Sequence, residues 1–289
     1  MDARGAFFQE PPRLGNTYEA DRALAGLLQR LLPPDLHGRL RPEWQAMGEA
    51  AAGPLLALAR QAEAERPRHV PFDAWGRRID AIEVSAAWTQ LQAEAAQRGL
   101  YAIPYEPDLR EQARLHQAAL LALYAPSSAI ASCPLAMTDG AARTLLEHDR
   151  ELAQRIVPRL ATRDAGALWT CGQWMTERAG GSDVSGTETV ARADEGGLFR
   201  LHGCKWFTSA VTSQAALTLA RMEGAPAGNA GLSLFFLELR RPDGGLNGIR
   251  VDRLKDKLGT RALPTAELTL EGALARPVGA PGHGVRKIT

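Results

Sequence analysis

A chain of 289 residues exceeds the size at which one hydrophobic core usually suffices, so two folded units are expected. Hydrophobic residues make up 45% and charged residues 23%, the balance of an ordinary water-soluble protein. A net charge of +1 leaves no global field to recruit nucleic acid or an anionic membrane, and no apolar run approaches the roughly 20 residues that span a bilayer.

From the N-terminus to about residue 160 the pattern is helical. Leu24, Leu27, Leu28, Leu31 and Leu32 recur at the spacing of one buried helix face, and Pro33-Pro34 stops that helix. Pro42 and Glu43 are expected to open a second helix, which Pro54 breaks or kinks before it continues through Leu55, Leu58 and Ala62. A third runs over 86–98 with Gly99 as its stop. Asp108 is suited to cap a fourth that continues through Leu115 and Leu123, and 144–160 holds one or two more.

From residue 168 the texture changes. The segments 168–175, 187–193, 199–208, 216–221, 232–239 and 266–270 are short and rich in Thr, Val, Phe or Leu, with Gly, Asp, Pro and Asn between them. This spacing indicates a domain of antiparallel strands. Strand and helix do not alternate and there is no Gly-x-Gly-x-x-Gly, which argues against a Rossmann domain. The fold class is therefore α+β: a helical domain over 1–165, a β domain over 166–279, and at 280–289 a first helical turn (Val285 to Ile288) that reads as the start of a truncated helical domain.

Cys133, Cys171 and Cys204 form no metal or redox motif, and the first four residues lack the apolar run of a secretion signal, so a cytoplasmic location is expected. The six histidines lack ligand spacing, so no metal is expected. Arg77-Arg78 and Arg240-Arg241 read as solvated turns.

Two segments carry the chemistry. Gly172-Gln173-Trp174-Met175-Thr176-Glu177-Arg178-Ala179-Gly180-Gly181-Ser182-Asp183 begins strand-like and ends as a loop dense in glycines and hydroxyls; Gly203-Cys204-Lys205-Trp206-Phe207-Thr208-Ser209 follows. Glycines admit backbone N–H groups close to a ligand, and hydroxyls both donate and accept, which suits a polar heteroaromatic ring and a phosphate. Taken singly, Thr176 and Ser182 read as turn residues. Glu177 and Asp183 read as structural hydrogen-bonding groups, and Trp174 and Trp206 as core.

Taken together, the pair resembles the Thr-Glu-x-x-Ala/Gly-Gly-Ser-Asp and Gly-x-Lys-x-Trp/Phe-x-Thr/Ser signatures of the acyl-CoA dehydrogenase family of flavoproteins. Within that family the chain looks closest to the AidB, alkylation-response branch. The matching residues are Phe72 to Asp80 with Trp88, Cys133-Pro134-Leu135-Ala136-Met137-Thr138, and Lys255-Asp256-Lys257-Leu258-Gly259-Thr260-Arg261.

The resemblance implies a helical N-terminal domain, a barrel-like β domain and a bound FAD. It assigns Gln173, Met175, Thr176, Gly181, Ser182, Phe207, Thr208 and Ser209 to that cofactor. Thr176 would meet the pyrimidine edge of the ring, Gly181 and Ser182 the pyrophosphate, and Ser209 the region of N5. Phe207 stands where relatives carry a ring-packing Trp. Arg178 stands where many carry Pro.

Family chemistry abstracts an α-proton from an acyl-CoA thioester while a β-hydride passes to flavin N5. The resemblance places the Glu base beyond Thr289, in a C-terminal helical domain that the chain is expected to lack. No catalytic residue is therefore assigned, and this chain alone is expected to be inactive. Two readings remain open. One is an acyl-CoA dehydrogenase-like oxidoreductase, homo-oligomeric at full length. The other is an AidB-type flavoprotein of the alkylation response with little turnover, associating with DNA only through the missing domain.

Overall fold

A computed structural model describes residues 12–289, so the reading of residues 1–4 lies outside the described residues. Asn16 and Asp21 accept hydrogen bonds from the first amides of α1 (Thr17–Ala20) and α2 (Arg22–Leu31). Pro33-Pro34 ends α2 as expected. Pro34 itself then begins α3 (Pro34–Ala52), which passes through Pro42. The expected helix start at Pro42 is therefore corrected. The Gly38 carbonyl that Pro42 cannot bond lies on the exposed side, while Leu40, Trp44, Met47 and Ala51 bury one continuous stripe across it. The break at Pro54 is real: α4 (Pro54–Ala64) starts there.

Next comes a feature absent from the sequence reading, an antiparallel hairpin of β1 (Arg68–Phe72) and β2 (Arg78–Glu83). Asp80 ties it down, accepting from Arg78 Nε at 2.8 Å and the Val251 amide at 3.2 Å and lying 2.8 Å from His69 Nε2. Arg78 also donates to the Val251 carbonyl, so it is a tether rather than a solvated turn residue.

Helix α5 (Ala86–Gln97) ends at Gly99, whose φ of +78° a side chain would oppose. Helix α6 (Ala113–Tyr124) is not capped by Asp108; that carboxylate pairs with Arg39 at 3.2 Å instead. Helices α7 (Ser132–His148) and α8 (Arg150–Leu160) follow, the second capped by Asp149. The Leu stripe of α2 is only half used: Leu28 and Leu32 are buried, whereas Leu27 and Leu31 face outward.

The second region contains β3 (Cys171–Trp174), β4 (Val190–Ala193), β5 (Phe199–Ser209), β6 (Ala215–Met222), β7 (Leu232–Glu238), β8 (Ile249–Leu254) and β9 (Thr265–Pro277). Strands β6, β4, β5, β9 and β7 pair in that order, and β7 returns to β6, closing a barrel-like sheet. Strand β3 pairs with β6, and β8 with β9.

Antiparallel pairing holds, as expected, for β4–β5, β5–β9, β6–β7, β7–β9 and β8–β9, with two exceptions. Both β3–β6 and β4–β6 are parallel. These strands meet through long connections rather than hairpins, so local turn residues cannot reveal their direction. Strand β8 was unread because its apolar positions alternate with Arg and Asp over only six residues. The short helix α9 (Gly284–Ile288) seats Ile288 in the core. Thr289 closes that turn, its amide and hydroxyl donating to the Val285 carbonyl at 3.1 and 2.9 Å.

Three apolar clusters organise the interior. One fills the helical layer around Leu28, Trp44, Met47 and Leu91, and Ala262 and Leu263 reach into it. A second sandwiches α7 and α8 against β3, β6 and β7, and the third fills the barrel. Each fully buried large side chain contributes about 1.5–3 kcal/mol.

Candidate functional site

The two motifs, some thirty residues apart, lie side by side. The Trp206 amide donates to the Thr176 carbonyl at 2.9 Å, and the Trp174 indole N–H donates to the Ser209 carbonyl at 3.3 Å. Thr218 on β6 donates to the Trp174 carbonyl at 2.6 Å, which fixes β3 against the sheet.

Beneath this junction is a buried ion pair. Lys205 Nζ lies 2.7 Å from Glu177 Oε1, with side chains 0% and 3% exposed. Glu177 also accepts from the Glu188 amide at 2.7 Å and from Thr189 Oγ1 at 2.5 Å, and Lys205 donates to the Leu219 carbonyl at 2.7 Å. Burial pulls the Lys205 pKa down, and the facing carboxylate opposes that pull. Gly203 makes room: a Cβ there would come within 2.7 Å of Thr189 Cα. With its charge neutralised and its oxygens occupied, Glu177 is structural. Asp183 accepts from the Ser185 amide and hydroxyl, both at 2.9 Å, which lowers its pKa and caps the loop.

Turn capping thus falls to Glu177, Asp183 and Thr187. The hydroxyls of Thr176 and Ser182 make no hydrogen bond among the described residues and remain available to a ligand. Gly181 packs on Thr176 so closely that a Cβ would sit 3.0 Å from Thr176 Cγ2.

Phe207 adds an aromatic surface. It is 53% exposed at a φ of +54°, and Ala210 repeats that φ. Left-handed conformations of non-glycine residues cost on the order of 1–3 kcal/mol and persist where the surroundings enforce them, frequently at ligand sites. Here the irregular β5–β9 register between Lys205 and Thr208 turns Phe207 outward.

Other assigned residues are placed differently. Thr208 is buried, and its hydroxyl has no partner. The Gln173 amide rests against Gly140 of α7, and Met175 packs on the α7–α8 cluster. Trp174 is core, as expected; Trp206 is not. Its ring receives Lys255 Nζ 3.3 Å from the centroid and the Arg178 guanidinium at 5.4 Å.

Sequence reasoning missed two neighbours of the site. Ser209 Oγ is 3.0 Å from Thr265 Oγ1, which in turn accepts from Lys257 at 2.9 Å. Lys257 belongs to the matched 255–261 segment, but nothing in its spacing tied that segment to Ser209.

An exposed aromatic face, unpartnered hydroxyls and a glycine-lined turn lie at one edge, a set of groups suited in kind to a flat heteroaromatic ring with a phosphate, as a flavin has. No cluster of His, Cys, Asp and Glu among the described residues is arranged to hold a metal ion, and no described helix is long and apolar enough to cross a membrane.

Comparison with known proteins places both regions of the chain in known families. The family model for the adaptive response protein AidB N-terminal domain matches residues 9–165, and that for the acyl-CoA dehydrogenase middle domain matches 172–273. Acyl-CoA dehydrogenase family member 11 of Caenorhabditis elegans is 45% identical over 295 residues, covering 99% of this chain and 48% of that protein. Putative acyl-CoA dehydrogenase AidB of Escherichia coli K12 is 34% identical over 97% of this chain and 52% of its own length.

The crystal structure of Caenorhabditis elegans ACDH-11 in complex with C11-CoA matches 98% of this chain and half of its own, at a TM-score of 0.95 and 45% identity. An acyl-CoA dehydrogenase from Bacillus anthracis, solved with FAD, shares the fold over 90% of this chain and 41% of its own at a TM-score of 0.64 and 18% identity. The chain spans about half the length of the curated relatives it matches. It belongs to the acyl-CoA dehydrogenase family, in the AidB branch.

Proposed function

We propose that this chain forms the flavin-holding part of an acyl-CoA dehydrogenase-like oxidoreductase that takes FAD as cofactor and an acyl-CoA thioester as substrate. The observation that carries this reading is the open edge formed by Thr176, Ser182 and Phe207, where the turn's own polar groups are satisfied by other residues. Bound FAD would accept a hydride from the acyl chain. Thr176 would donate to the pyrimidine edge, where donors stabilise negative charge on the ring. Gly181 and Ser182 would meet the pyrophosphate, Phe207 would cover one face and exclude water, and Ser209 would face the N5 side.

Acyl-CoA as ligand is supported by the relative solved with C11-CoA. We assign a cytoplasmic location and a homo-oligomeric full-length protein to the same reading. Glu177 and Asp183 are committed to the contacts described above, so neither is assigned as the α-proton base in this reading. The DNA-associated alternative rests on resemblance alone.

The test is anaerobic addition of a chain-length series of acyl-CoAs to FAD-reconstituted protein, read as a binding-induced shift of the flavin bands, which needs no turnover. A change in the visible flavin spectrum that depends on chain length supports the reading. Protein that takes up FAD but shows no response to any thioester would overturn the assignment of substrate.

A further inference from the structure

The contacts of Thr265 fix the direction of a hydrogen-bond relay. An ammonium can only donate, so Thr265 Oγ1 accepts from Lys257 Nζ at 2.9 Å. The Thr265 proton then has two possible takers: the Leu263 carbonyl at 3.5 Å, beyond good hydrogen-bond reach, and Ser209 Oγ at 3.0 Å. Thr265 therefore donates to Ser209. The Ser209 proton is left free to point out of the relay.

We propose that Lys257 is a positioning residue for the flavin: through Thr265 it holds the Ser209 hydroxyl as a donor toward the ring and sets a positive charge, itself in no ion pair, two hydrogen bonds behind it. The proposal rests on the flavin reading above. Its second support is the way Lys257 is accommodated. Its ammonium bonds only neutral acceptors, Thr265 Oγ1 and the Leu263 carbonyl, whereas Lys255 faces Glu267 at 2.6 Å.

No carboxylate lies within ion-pair reach of Lys257 among the described residues. With Arg66, Lys255 and Arg261, against the single carboxylate of Asp256, it lines a cavity of about 80 Å³ that reaches Thr265, so the balance of charge behind Thr265 is positive. Burial lowers the Lys257 pKa, and the Cys133 thiol and the Glu63 carboxylate oppose that pull from beyond ion-pair distance. A cation at the end of a hydrogen-bonded chain polarises each link. It favours the ring most when the ring carries added electrons, so it should raise the flavin's reduction potential.

The test is the midpoint potential of bound FAD, with FAD affinity measured alongside, in the wild type and in K257M, K257R and T265V. In K257M the reduced flavin should lose roughly tenfold in affinity relative to the oxidised form, read as a fall of about 30 mV for a two-electron couple. K257R, which keeps charge and donor, should restore most of it. T265V should fall as well, although Lys257 is intact. A wild-type potential in K257M overturns the proposal, and so does a fall in K257M with T265V unchanged. Should K257M fail to fold, T265V and K257R decide by the same criteria. Wild-type protein that takes up no FAD removes the flavin reading, and the role of the relay with it.

Discussion

Glu177→Ala isolates the buried pair under the site. It deletes the carboxylate that faces Lys205 and strands an ammonium with 0% side-chain exposure. It also removes the acceptor for Thr189 Oγ1 and the Glu188 amide. Breaking a buried pair by removing one partner costs about 3–5 kcal/mol, because the remaining charge is uncompensated. Total stability is about 5–15 kcal/mol, so about a fifth or more should be lost. At about 2–4 °C per kcal/mol for a chain of this size, Tm should fall by on the order of 10 °C.

The double variant Glu177→Leu/Lys205→Met replaces the pair by apolar groups of similar volume and should recover most of that loss. Urea denaturation of wild type, single and double variants measures both values. A single variant costing less than about 1 kcal/mol would refute the reasoning, since that is the value of a solvated surface pair.

Three further outcomes follow from local geometry. Thr208→Val removes a buried hydroxyl without a partner and keeps its shape, so the ligand-free protein should gain about 1 kcal/mol in denaturant unfolding; a loss would show that the hydroxyl has a partner. Asp80→Ala should release the β1–β2 hairpin from β8 and cost about 2–3 kcal/mol, with faster amide hydrogen exchange confined to that hairpin. Burial pushes the Cys171 thiol up to about 12, so at pH 8 only about one molecule in ten thousand carries its thiolate. Iodoacetamide at pH 8 should therefore label exposed Cys204 quickly and leave Cys171 untouched until the protein unfolds.

The order of helices then strands was legible because periodicity is local: Gly99 and Pro54 stop and start helices where their backbone constraints demand. Pro42 misled because tertiary burial of Trp44 and Met47 outweighs one missing hydrogen bond on the exposed side. The antiparallel pairings were legible and the two parallel ones were not. Parallel β3–β6 pairing joins segments about forty residues apart with no turn between them to reveal it.

Within the site, the two motifs were readable as strings, and the structure brings them into contact through the Trp206 amide. The positive φ of Phe207 and the Thr265–Lys257 link were hidden. One arises from a register irregularity and the other from a strand some fifty residues downstream.

The central claim is that Thr176, Ser182 and their neighbours hold a flavin. Fluorescence titration of FAD into the wild type, Thr176→Val and Ser182→Ala tests it most directly. Each substitution removes one unpartnered hydroxyl, and a lost hydrogen bond of about 0.5–1.5 kcal/mol predicts a roughly two- to tenfold weaker Kd for each variant with folding intact. Equal affinity across all three proteins, or no FAD binding by the wild type, would contradict it and leave the motif as a hydrogen-bonded turn.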